Sequence, residues 1–75
     1  MQIKFSIQNM PSDHASFLVE KFAPAFGIEV VASATPLFSK SQITFTVAGT
    51  PGNAQAFERH IKSEVSAING TYTEK

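Results

Sequence analysis

The sequence predicts an α+β domain of the ferredoxin-like split βαβ type, with an antiparallel sheet covered by two helices on one face. Three observations predict it. Two stretches alternate apolar and polar residues with the period of half-buried strands, two others carry apolar stripes at helical spacing, and the order is βαββα with residues left for a final strand.

Gln2 to Gln8 alternates strictly, with Ile3, Phe5 and Ile7 on one face and Lys4, Ser6 and Gln8 on the other, which is a first strand. Asn9-Met10-Pro11-Ser12-Asp13 follows as a turn. Ser12 is the expected helix N-cap, and Asp13 sits in the first turn, where a negative charge meets the positive end of the dipole. Ala15, Leu18, Val19 and Phe22 fall at i, i+3, i+4 and i+7, an apolar stripe about 100° wide that Pro24 and Gly27 bring to an end. Phe17 lies off that stripe. Residues 28–34 are β-branched and small and predict a second strand, with Ile28, Val30 and Ala32 sharing a face.

The connection from Thr35 to Ser41 is long for a hairpin and carries Leu37 and Phe38 near its tip. In the third strand Ile43, Phe45 and Val47 point inward while Gln42, Thr44 and Thr46 point to a wet, threonine-rich face. Gly49-Thr50-Pro51-Gly52-Asn53 leads into a second helix, with Thr50 capping ahead of Pro51 or Asn53 capping later. Ala54, Phe57, Ile61, Val65 and Ile68 form its stripe, and Asn69-Gly70 supplies the left-handed stop. Thr71-Tyr72-Thr73 remains for a short edge strand.

The 75 residues suit one domain spanning 1–75, with no linker and no repeat. The lack of cysteine excludes disulfides, thiolate metal sites and a cysteine nucleophile together. Six basic residues balance six acidic ones and are scattered, which leaves no electrostatic footprint for nucleic acid or an anionic membrane. The apolar runs around Phe22 to Val31 and Ile43 to Ala48 are too short or too interrupted to cross a bilayer or to form a signal-peptide core. A soluble, cytoplasmic protein is expected, with a protein partner or a second copy of itself as its company.

The run Phe5-Ser6-Ile7-Gln8-Asn9-Met10-Pro11-Ser12-Asp13-His14-Ala15, followed by Leu18-Val19-Glu20-Lys21 and Gly27-Ile28, resembles the heavy-metal-associated domain family of copper chaperones and metal-ATPase amino-terminal modules. In that family a strand ends in Gly-Met, two cysteines separated by two residues open the first helix, and Val-Glu-Lys and Gly-Val follow. Here Asn9 replaces the glycine, Met10 matches, and Ser12 and Ala15 stand where the cysteines would be. The resemblance implies a ferredoxin-like fold and a soft-cation site, but a hydroxyl and a methyl cannot replace two thiolates. The implied reading is a binding module that has lost its thiolate site and works through protein contacts.

Candidate residues follow from these considerations. Asp13 and His14 lie where the resembling family holds metal and offer two donors to Zn(II), Ni(II) or Cu(II), short of a tetrahedral set. They read equally as a dipole-complementing acid and a solvated first-turn residue. No cofactor is implied unless a divalent ion uses this pair. His60 stands four residues before Glu64, a spacing for a weak surface ion pair on a solvated helix face. Phe17, Leu37 and Phe38 read either as an exposed contact surface or as additions to a small core. With no nucleophile beside a base, the chain is expected to be no enzyme. A third class, a small-molecule-sensing regulatory domain, rests on analogy of fold.

Overall fold

In the computed structural model, which describes residues 1–36 and 41–74, the chain runs β1 (Gln2–Gln8), α1 (Ser12–Phe22), a 3-10 turn (Pro24–Phe26), β2 (Glu29–Ala34), β3 (Gln42–Ala48), α2 (Pro51–Ala67) and β4 (Thr71–Glu74). The final strand forms, so the pattern is βαββαβ. The four strands make one antiparallel sheet in the order β2-β3-β1-β4, the expected ferredoxin-like arrangement. Leu37 and Phe38 lie outside the described residues.

Period-2 alternation in β1 and β3 sets the register. Ile3 pairs with Val47, Phe5 with Phe45 and Ile7 with Ile43, and all six are buried. Against this row pack Ala15, Leu18 and Val19 of α1 and Ala54, Phe57, Ile61 and Val65 of α2. At about 25 cal/mol per Å² of apolar surface, this single layer of contact between sheet and helices is the main source of stability. The opposite face carries Thr44, Thr46 and Ser6. Ser6 is fully covered although it faces outward, because its hydroxyl and that of Thr44 lie 2.9 Å apart and share a proton.

Three local expectations need correction. Ser12 is the first helical residue instead of the cap: Pro11 holds the N-cap with no side-chain hydrogen bond, and its carbonyl accepts from the backbone N–H of His14 and Ala15. The second strand does not keep Ile28, Val30 and Ala32 on one face. A bulge at Val31 shifts the register, so Val30 opposes Val47 and Ser33 opposes Phe45 on the inner row, while Ala32 turns outward opposite Thr46. Ile68 leaves the α2 stripe and is exposed, because the helix ends at Ala67 and Ile68 has φ −115°. The expected left-handed stop at Asn69-Gly70 forms, with Asn69 at φ 63°. The Thr50 cap stands as the first of the two alternatives, its hydroxyl accepting from Asn53 N–H at 3.3 Å.

The α1 exit positions the site described next. Ala23 caps α1, Pro24 opens the 3-10 turn, and Gly27 takes φ 67°, a left-handed conformation that glycine adopts without strain. This bend carries Phe26 back against α2, where its ring meets Phe57 edge-on at 6.2 Å.

Candidate functional site

Five residues line a cleft of about 350 Å³ between the 3-10 turn and α2: Phe26, Ala56, Arg59, His60 and Ser63. Four come from one helix at i, i+3, i+4 and i+7, a stripe beside the core stripe of α2. Phe26 is the facing wall, delivered by the turn. The volume is at the lower end of the range for small-ligand sites.

His60 is not the freely solvated surface residue that the sequence predicts. Phe22 packs edge-on against its imidazole with centres 4.4 Å apart, and Phe26 lies tilted at 5.3 Å, so the ring is held between two aromatic walls. Its Nε2 is 3.6 Å from Glu64 Oε1, near enough for charge interaction but too far for a hydrogen bond. That nitrogen is buried and has no hydrogen-bond partner among the described residues. The imidazole is therefore fixed by packing, and no described group satisfies its buried Nε2.

Arg59 is exposed at the rim. Its helix neighbours at i±3 and i±4 are Gln55, Ala56, Lys62 and Ser63, none of them acidic. Glu58 is engaged elsewhere, 3.5 Å from Lys62 Nζ and accepting from the Tyr72 hydroxyl at 3.3 Å.

Asp13, His14 and Phe17 are not among the residues that line this cleft, and Leu37 and Phe38 lie outside the described residues. Asp13 and His14 are exposed in the first turn of α1, and the described residues contain no group of three or more His, Cys, Asp or Glu that could hold a metal ion. Met10, next to them in sequence, is buried in the core. Phe17 is 60% exposed in mid-helix, with the Lys21 ammonium 5.9 Å from its ring centre. Sequence reasoning missed Phe26, Ala56, Arg59 and Ser63. The helical spacing of 56, 59, 60 and 63 is the signal that was available, but a mostly polar stripe reads as a solvated face.

No helix among the described residues is long and apolar enough to cross a membrane. No protein-family model matches the chain, and no curated protein resembles it at a significant level. Among solved structures, a Deinococcus radiodurans protein provisionally named an antibiotic biosynthesis monooxygenase superposes with a TM-score of 0.56 over 100% of this chain and 90% of its own, at 15% identity. At that identity the likeness shows the fold, in agreement with the ferredoxin-like assignment. It also corrects one expectation. The absence of a nucleophile beside a base led to the expectation of no enzyme, yet a protein that shares this fold over all of the present chain bears a monooxygenase name, so that exclusion does not hold.

Proposed function

We propose that this chain binds a small organic molecule in the cleft between Phe26 and α2, with His60 as part of its lining. The observation that carries this reading is the convergence of an apolar wall, Phe26 and Ala56, with three polar side chains, Arg59, His60 and Ser63, on one concavity. The neighbour's name, with its reference to antibiotic biosynthesis and oxygenation, supports small-molecule handling over a purely structural role. Amide NMR with a set of one-ring compounds tests it. We expect shifts confined to Phe26 and Ala56 to Ser63, and we expect Ala56→Trp, a change at an exposed helix position, to fill the cleft and abolish them. Binding that is unchanged in Ala56→Trp, or no shift with any compound, would sink the reading.

A second reading rests on Phe17. A phenylalanine 60% exposed in the middle of α1, companioned by Lys21, fits a contact with a protein partner or a second copy. Sedimentation velocity decides it for the second copy. The wild type is expected to associate in the high micromolar range and Phe17→Ser to stay monomeric, whereas identical behaviour of the two removes Phe17 from any self-contact.

A further inference from the structure

Among the described residues, Arg59 is the cation of α2 without an acidic partner. Among the described residues the two acids of that helix are taken, Glu58 by Lys62 at 3.5 Å and Glu64 by His60 at 3.6 Å, and no carboxylate lies within ion-pair distance of the Arg59 guanidinium. The chain as a whole carries six cations and six anions, so this is a local imbalance and not a general basic surface. Arg59 lines the cleft together with Ser63, one turn further along α2, and Phe26 of the 3-10 turn.

We infer that the molecule this cleft takes is a small monocarboxylate with an apolar body. The inference rests on the cleft being a binding site. The guanidinium presents paired N–H donors that match a carboxylate in a two-bonded geometry, and Ser63 adds a hydroxyl beside it. Phe26 and Ala56 cover the apolar body. Arg59 is the one permanently charged group of the described lining, so a second anionic group gains no further ion pair there, and inorganic phosphate lacks the apolar body that Phe26 and Ala56 cover. The cleft of about 350 Å³ leaves room for one ring or a short chain.

The test compares benzoate, benzamide and inorganic phosphate by amide NMR titration of the wild type, Arg59→Gln and Arg59→Lys. Benzoate is expected to bind about tenfold more tightly than its neutral isostere benzamide, the effect of one charge-assisted pair in a partly open site. Arg59→Gln is expected to erase that difference and Arg59→Lys to restore part of it, while phosphate leaves Ala56 to Ser63 unmoved. If benzamide binds as well as benzoate, or if Arg59→Gln leaves benzoate affinity unchanged, the carboxylate inference is overturned and the cleft remains a site for neutral molecules. Phosphate binding as tightly as benzoate overturns it in favour of a bare anion site. Silence of these amides toward all three probes overturns the inference together with the binding reading on which it rests.

Discussion

Tyr72 joins three interactions at one edge of the sheet. Its ring stacks on Phe5 with centres 4.9 Å apart and planes at 19°, the Lys62 ammonium lies 5.3 Å from the ring centre, and its hydroxyl donates to Glu58 Oε2 at 3.3 Å. Burial first, and then the charge of Glu58, raise the phenol well above its ordinary value of 10.0. The folded state therefore holds this proton more tightly than the unfolded chain does. The resulting stabilisation is fully present below the unfolded value of 10.0 and is lost as the pH climbs above it. Urea midpoints taken at about pH 8 and about pH 11 check the sign: the wild type is expected to lose more stability across that interval than Tyr72→Phe. Equal losses would assign the alkaline sensitivity to another group. The sequence places Tyr72 on a short strand, but nothing in the local pattern names Glu58, Lys62 or Phe5 as its partners.

At the scale of elements, α2 carries two stripes with one spacing. Ala54, Phe57, Ile61 and Val65 face the sheet, and Ala56, Arg59, His60 and Ser63 face the turn that holds Phe26. The first stripe was legible because apolar residues at helical spacing imply burial. The second was not, because the same spacing with polar residues is what an ordinary solvated face shows. The β2 strand teaches a similar lesson. Its composition marks it as a strand, yet one extra residue at Val31 reverses which side chains face the core after it. Pro11 takes the N-cap of α1 ahead of Ser12, so the stronger capping residue by type is displaced by one position. The existence of the three longer strands and both helices was readable, and the errors cluster at starts, stops and registers.

The whole molecule is held by one aromatic knot. Phe5, at the centre of the sheet, meets Phe45 of β3 at 5.5 Å, Phe57 of α2 at 6.4 Å and Tyr72 of β4 at 4.9 Å, so four elements share one buried ring. Removing such a ring usually costs about 3–5 kcal/mol, and at roughly 0.05–0.15 kcal/mol per residue a chain of 75 residues has a total stability of about 4–11 kcal/mol. Phe5→Ala is therefore expected to consume a large share of the margin and to lower the thermal midpoint steeply. A loss below about 1 kcal/mol in urea unfolding would show that the knot relaxes around the cavity and that the core is less interdependent than these contacts imply.

By itself the sequence determined the ferredoxin-like class, five of the six main elements and the inner faces of β1, β3 and both helices, and left the final strand open. Those are properties of local period and composition, and residues a few positions apart are enough to impose them. It also marked the first turn of α1 as a metal locus, on resemblance alone, and there Asp13 and His14 are exposed and belong to no group of three or more His, Cys, Asp or Glu among the described residues. Only the tertiary structure decided where the cleft lies. Phe26 and His60 are 34 positions apart in the chain, and what joins them is the left-handed bend at Gly27 together with the packing of α1 and α2 on the same face of the sheet. Concavity and the pairing of charges belong to distant surfaces brought into contact, and periodicity within one element carries no record of what it will face.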